Sequence, residues 1–238
     1  YAINTLGSIL GVILAGLLLM PLLGLKRLLI LGALIDIALG IWLVVRSQER
    51  TAPTPAKRWP TLGGESMLTV PLLLTAFLIT TIAVVSRFNI SVITSGVYRH
   101  GFVDRGSDSR FPFYKDGRTA TVSVERNSNG FLTLSTNGKP DASIDQSWLD
   151  KDTAATPPVP LQLTRDVATQ YMLPLISLAH RPRAELAAVI GQGSGITSHV
   201  LLGSPYVKEV ATIEIEPEMI EGSRHFMPGN RRVFEDVR

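Results

Sequence analysis

The stretch AELAAVIGQGSGITSHVLLGSPYVKEVATIEIE, residues 184–216, decides the fold of this chain. It opens with a short apolar run, Ala184 to Ile190, which is typical of a buried strand. Three glycines at alternate positions follow, then a helix, and Val210 to Glu216 predicts a second strand that ends in acidic residues. Strand, glycine loop, helix and strand in this order are typical of half of a nucleotide-binding βαβ unit.

The spacing of the glycines separates two kinds of nucleotide ligand. Dinucleotide sites follow G-x-G-x-x-G, so that the pyrophosphate sits on the helix N-terminus. Here Gly191, Gly193 and Gly195 follow G-x-G-x-G, and Ile196 takes the next place. That is the form of S-adenosylmethionine-type sites, whose ligand has no pyrophosphate. Glu214, about twenty residues further on, is placed to hydrogen-bond ribose hydroxyls.

Composition divides the chain into two regions and excludes several chemistries. Of the 238 residues, 45% are hydrophobic, and their density is highest before Ser86. This asymmetry predicts a membrane region followed by a globular one.

The absence of cysteine excludes disulfides, thiolate metal sites and cysteine nucleophiles. A net charge of +3 with dispersed basic residues argues against nucleic acid as a partner. The histidines share no metal-ligand spacing, so we expect no metal site.

Residues 1–87 predict three transmembrane helices, at about 6–25, 28–45 and 68–85. Each run is long and apolar enough for a bilayer of roughly 30 Å. Lys26 and Arg27 separate the first two, and this short gap predicts a helical hairpin. Asp36 lies within the second run, where a charge is costly, so it has either a functional role or a hydrogen bond to another helix.

Gly7, Gly11 and Ala15 form a stripe of small residues on the first predicted span. Such a stripe lets helices approach closely, which is consistent with a homodimer, although small residues are common in spans.

Three spans place the segment after Arg87 on the same side of the membrane as the Lys26–Arg27 turn. The basic residues of the 46–58 loop favour a cytoplasmic loop, which conflicts with a cytoplasmic domain after Arg87.

Residues 97–160 predict a small β-rich domain. Thr119 to Glu125 and Phe131 to Ser135 alternate around an Asn/Gly turn, which indicates a β-hairpin. Asn137-Gly138 is a second turn signal. After a Pro/Thr/Ala linker at 150–160, residues 161–238 predict the first half of a Rossmann-like domain, beginning with a helix at 165–179. The expected fold class is therefore a membrane α-helical segment, then α/β: a small β-domain plus an incomplete Rossmann-like domain of the S-adenosylmethionine type.

The chain resembles the spermidine synthases (polyamine aminopropyltransferases), and specifically their membrane-fused, transporter-like branch. The resemblance rests on several stretches, which are TQYMLPLISLAH, AELAAVIGQGSG, IEIEPEMIEGSRHFMPGN, FYKDGRTATVSVE, LTLSTNGKPDAS and SGVYRHGF. It implies transfer of an aminopropyl group from decarboxylated S-adenosylmethionine to a putrescine-like polyamine, in a multi-pass protein of the inner membrane with a cytoplasmic C-terminal domain. The partners it implies are the polyamine and the lipid bilayer.

The resemblance also implies roles for particular residues. Gly191, Gly193 and Gly195 would line the nucleoside pocket together with Ser194, and Glu214 would hold the ribose hydroxyls. Gln170 falls on the position that faces the aminopropyl or polyamine end. The catalytic Asp of the family would lie beyond Arg238, so no catalytic residue is assigned and we expect an internal fragment of a longer protein.

Two departures leave other functions open. Soluble spermidine synthases carry an Asp where this chain has Ser194, and the Gln of their β-domain that contacts the nucleoside has no evident counterpart near Thr119 and Ala120. One alternative is a methyltransferase that uses ordinary S-adenosylmethionine. The other is a non-catalytic transporter or sensor whose domain binds a nucleoside or polyamine.

Overall fold

A computed structural model describes residues 1–50, 75–82, 89–97, 101, 109–145 and 164–238. These residues group into two compact units, one of residues 1–24 and 89–238 and one of residues 25–88. The predicted linker at 150–160, and the predicted 46–65 loop beyond Arg50, lie outside the described residues.

The N-terminal region is helical over most of its described length. Helix α1 (Ala2–Ile13) passes through a π-helical turn (Leu14–Leu19) into helix α2 (Met20–Arg50). By length and composition, the 42-residue stretch Ala2–Leu43 could cross a membrane, and none of its most apolar window is buried. The chain thus begins with one long apolar helical segment that precedes an α/β region.

The first interruption of this helical backbone lies at Gly24, with φ 74° and ψ 166°. The sequence predicts a turn at Lys26-Arg27, two residues later, and the helical hairpin stays a prediction. Lys and Arg have high helix propensity, so a charge pair breaks the run of hydropathy without breaking the helix. Gly reaches positive φ at no steric cost.

The third predicted span, 68–85, is described only at residues 75–82, which are helical. The rest of that span lies outside the described residues. A short helix, α3 (Ile90–Ile93), follows, and the Asn89 side chain accepts a hydrogen bond from Ser91 N at its N-terminus. Three spans and a multi-pass topology remain predictions.

A four-stranded antiparallel sheet comes next, in the order β1-β2-β3-β4. Its strands are β1 (Arg110–Asp116), β2 (Thr121–Arg126), β3 (Leu132–Thr136) and β4 (Lys139–Ile144). The predicted hairpin is confirmed, since β2 pairs with β3 and Val124 lies opposite Leu134. The second turn signal is confirmed as well, because Asn137 and Gly138 connect β3 to β4 with φ 49° and 74°.

The α/β part begins with helix α4 (Arg165–His180), capped by the Thr164 side chain, which accepts from Val167 N. Strand β5 (Leu186–Ile190), helix α5 (Ile196–Leu201) and strand β6 (Glu209–Ile213) follow, and the two strands pair in parallel. Helix α6 (Pro217–Ser223), a 3-10 turn (Arg224–Phe226) and helix α7 (Arg232–Glu235) complete the described chain.

The antiparallel sheet and the α/β part share one hydrophobic core. Fully buried side chains from β2, β3 and β4 pack with side chains from α4, α5, α6 and the 3-10 turn; among them are Val124, Leu134, Ile144, Val167, Ile196 and Phe226. This packing places Asp141 and Ala142 of β4 beside the glycine loop that follows β5. The candidate site forms at that junction.

Candidate functional site

The glycine loop leaves β5 with three residues at positive φ. Gly191, Gly193 and Gly195 have φ of 86°, 50° and 80°, a region that side chains with a Cβ rarely adopt. A Cβ added at Gly191 or Gly193 would meet nothing within 4 Å, so the backbone there faces open space. A Cβ at Gly195 would come within 2.9 Å of Gln192 Nε2. Two of the glycines thus leave room for a ligand, and the third permits close packing.

Glu214 is the first residue after β6, and its carboxylate is tied to the glycine loop. Oε2 accepts a hydrogen bond from Gln192 N at 2.7 Å, and Oε1 accepts one from Glu216 N at 3.0 Å. The carboxylate is half-buried and retains lone pairs on both oxygens. It is therefore held in one place while it can still accept hydrogen bonds from a ligand.

Ser194 and Gln170 form a side-chain pair. Ser194, buried within the loop, donates from Oγ to Gln170 Oε1. The Gln170 amide nitrogen donates to the carbonyls of Ser143 and Asp166, both at 3.0 Å. The amide of Gln170 is thus satisfied within the protein, and the pair brings no formal charge to the site.

Asn230 anchors the loop from behind. Its side chain is fully buried, and Nδ2 donates to Ser194 O at 2.6 Å and to Ser223 O at 2.7 Å. Gln192 Nε2 reaches Ser223 Oγ at 3.3 Å. These contacts fix the position of the loop backbone. Sequence reasoning did not single out Asn230, because its role depends on a contact between residues 36 apart.

These elements surround a cavity of about 370 Å³. Its lining includes five of the six residues proposed from the sequence, Gln170, Gly191, Gly193, Ser194 and Glu214. Gly195 packs behind the loop instead. The volume lies in the range of pockets that hold small organic ligands, roughly 300–1,000 Å³. The structure therefore brings these five residues together at one concave surface.

Asp141 on β4 also lines this cavity, and the sequence analysis did not identify it. Strand β3 pairs Leu134 with Ala142 but Ser135 with Pro140, so Asp141 is the extra residue of a bulge. Bulges redirect side chains and are common beside binding sites. Period-two alternation alone does not reveal such an insertion.

Glu216 is a second acid that sequence reasoning left unassigned. It is 2% exposed, and Oε2 accepts from Thr119 N at 2.8 Å, Thr119 Oγ1 at 2.9 Å and Ala120 N at 3.2 Å. Oε1 accepts from Glu218 N and caps α6. Burial alone would raise the pKa of Glu216, but these donors outweigh it and lower the pKa below its ordinary value. Glu216 thus fastens the β1–β2 turn to the α/β part.

The histidines of the described residues are not arranged as a metal site. His199 Nδ1 accepts from Arg232 N at 3.2 Å, and His225 lies 5.8 Å from the Phe113 ring, centroid to centroid. Burial, and secondarily Arg126, lower the pKa of His225. Over the ranges that the structure describes, no group of three or more His, Asp or Glu side chains could hold a metal ion.

No family model matches the sequence, and no curated protein matches it. Among solved structures, the chain is similar to a spermidine synthase in complex with the transition state analogue AdoDATO and to the spermidine synthase from Thermotoga maritima. Each match has 16% identity and a TM-score of 0.41 over 54% of this chain. The chain spans 38% and 39% of those two proteins. A likeness of this size does not establish a family.

Proposed function

We propose that this chain is part of a membrane-attached, spermidine synthase-like transferase that binds an adenosyl ligand in the cavity beside the glycine loop. The observation that carries the proposal is the position of the Glu214 carboxylate. It accepts a hydrogen bond from Gln192 N, in the loop whose Gly191 and Gly193 face open space. A fixed acceptor next to bare backbone suits a ribose, because the 2′- and 3′-hydroxyls are paired donors and need close approach.

The absence of the dinucleotide spacing supports a nucleoside without pyrophosphate. Decarboxylated S-adenosylmethionine is the co-substrate we propose, and a putrescine-like polyamine is the acceptor. In the reaction, a neutral amine would attack the propyl carbon next to the sulfonium sulfur. The C–S bond breaks, methylthioadenosine leaves, and the new ammonium loses a proton to a base. Positioning of the amine in line with the C–S bond supplies most of the rate enhancement.

Gln170 and Ser194 would shape the end of the cavity that receives the propyl chain. Both are already hydrogen-bonded to each other and to the main chain, so their geometry is set before a ligand arrives. Binding to preorganised groups loses less conformational entropy than binding to mobile ones. We assign no catalytic base within the described residues.

The neutral Ser194–Gln170 pair favours one competing function, a methyltransferase that uses S-adenosylmethionine itself. That ligand carries a carboxylate beside its amine, so a site for it has less need of an acid at this end. A transporter or sensor that binds without turnover would use the same cavity. Membrane attachment in all three cases is a proposal that the apolar Ala2–Leu43 segment supports.

A transfer assay separates the three functions. The protein, purified in detergent, is incubated with putrescine and either decarboxylated S-adenosylmethionine or S-adenosylmethionine, and products are identified by mass spectrometry. The proposal predicts methylthioadenosine plus a triamine from the first co-substrate and no S-adenosylhomocysteine from the second. Methyl transfer would support the methyltransferase, while binding without either product would support the transporter or sensor.

A further inference from the structure

An acid from the antiparallel sheet lines the cavity together with the glycine loop. Asp141 lines it from the bulge in β4, while Glu214 lines it from the end of β6. Ser194, which also lines the cavity, is neutral and donates a hydrogen bond to Gln170. Negative charge in the cavity therefore comes from two carboxylates on different structural elements.

The two carboxylates are not equivalent. Both oxygens of Glu214 already accept main-chain hydrogen bonds, from Gln192 N and Glu216 N, which fixes it as a directional acceptor. Asp141 instead forms an ion pair with Lys139, with 3.3 Å between Nζ and Oδ1. The Lys139 side chain is 55% exposed, and ion pairs of this exposed kind are weak. A ligand ammonium could replace Lys139 as the partner of Asp141.

We infer that Asp141 is the residue that selects a cationic ligand, by pairing with the primary ammonium of the aminopropyl chain. This inference rests on the proposed function, since it takes the cavity to hold an adenosyl ligand. It assigns the amine to the β4 bulge rather than to the glycine loop. A cavity that discriminates in this way binds the cationic co-substrate better than the neutral nucleoside.

The test is a calorimetric titration of the detergent-purified protein with two ligands. Methylthioadenosine has the nucleoside without the ammonium, and decarboxylated S-adenosylmethionine has both. In the wild type, the cationic ligand should bind more tightly. Asp141→Asn should weaken the cationic ligand by roughly tenfold and leave methylthioadenosine within about twofold, because one charge-assisted contact is lost.

Two controls fix the sign and the position of the effect. Lys139→Ala removes the competing cation, so it should tighten binding of the cationic ligand while methylthioadenosine is unchanged. Glu185→Gln makes the same change of net charge at an exposed site that pairs with Lys208, and it should affect neither ligand. Raising the salt concentration should reduce the preference of the wild type more than that of Asp141→Asn.

The outcomes separate this inference from the function it rests on. If methylthioadenosine does not bind the wild type, the proposed function fails. If methylthioadenosine binds and Asp141→Asn leaves the ratio of the two affinities unchanged, the nucleoside site stands and the role of Asp141 is overturned. An equal loss for both ligands would make Asp141 a structural residue of the bulge, which also contradicts the inference.

Discussion

The buried Glu216 carboxylate accepts two hydrogen bonds from Thr119, one from the backbone N at 2.8 Å and one from Oγ1 at 2.9 Å. The two residues are 97 positions apart in sequence. Glu216 N in turn donates to Glu214 Oε1 at 3.0 Å, and Glu214 Oε2 accepts from Gln192 N. A continuous chain of hydrogen bonds therefore runs from the β1–β2 turn to the glycine loop.

Glu216→Gln should destabilise the protein by about 2–3 kcal/mol. An amide has one acceptor oxygen where the carboxylate has two, so its NH₂ would face either the N–H groups of Thr119 and Ala120 or that of Glu218. Thermal unfolding in detergent should show a melting temperature several degrees lower. Glu221→Gln, on the exposed side of helix α6, removes a solvent-exposed i,i+3 ion pair with Arg224. This control should change the melting temperature little.

The same carboxylate should make stability depend on pH. Because the pKa of Glu216 is lower in the folded state than its ordinary 4.5, the folded state is favoured when the group is ionised. Its contribution is complete above about pH 5 to 6 and is lost as the pH falls through the folded-state pKa. Melting temperatures of the wild type and Glu216→Gln should converge as the pH is lowered from 6 to about 3. A difference that persists unchanged at the acid end would contradict this role.

Gly117→Ala should act through Glu216. A Cβ at Gly117 would overlap the Glu216 carboxylate, which four donors hold in place. The substitution should therefore destabilise the wild type, with a clearly smaller effect in the Glu216→Gln background, where those bonds are already impaired. Residues in contact give such non-additive effects. Additive losses in the double variant would show that the two positions act independently.

Ser194→Asp should be poorly tolerated. The sequence suggests that this change restores the acid of the soluble spermidine synthases, but a carboxylate here would face Gln170 Oε1, to which Ser194 Oγ now donates. Relief requires the Gln170 amide to flip, which would break its hydrogen bonds to the Ser143 and Asp166 carbonyls. We expect a loss of about 1–3 kcal/mol in thermal unfolding.

Ser194→Ala is the matched control for this prediction. It removes the hydroxyl without adding charge and should cost less than Ser194→Asp. If Ser194→Asp melts at or above the wild-type temperature, the Ser194–Gln170 pair is not the constraint described here.

Sequence patterns predicted the local elements more accurately than the contacts between them. The hairpin, the Asn137-Gly138 turn and the strand–glycine loop–strand order depend on residues close in the chain, where alternation and turn chemistry act directly. Strand β6 ends at Ile213 rather than 216, because its partner β5 ends at Ile190, which pairs with Ile213.

The sequence could not predict the contacts between residues that are distant in the chain. Asp141 reaches the cavity through a bulge, and a bulge depends on the register of a neighbouring strand. Asn230 and Glu216 work through hydrogen bonds to the 194 and 119–120 backbone. Such contacts leave no periodic signal, although Pro217, typical of a first helical position, indicates a helix start directly after Glu216.

An adenosyl ligand made in the cytosol requires residues 97–238 to lie on the cytoplasmic side. Reporter fusions placed after Arg238 and within the 51–60 segment should therefore give opposite signals, with the former cytoplasmic. This result would go against the basic residues of the 46–58 segment, which favour a cytoplasmic loop. A cytoplasmic 51–60 segment with an external C-terminal domain would contradict the enzymatic proposal.

Titration of the detergent-purified protein with methylthioadenosine tests the central claim most directly. The account predicts that the wild type binds this nucleoside and that Glu214→Gln weakens binding by roughly tenfold or more, since the fixed acceptor for the ribose hydroxyls loses its charge. Glu209→Gln, at the opposite end of β6, should bind like the wild type. Undetectable binding by the wild type, or equal affinities for the wild type and Glu214→Gln, would contradict it.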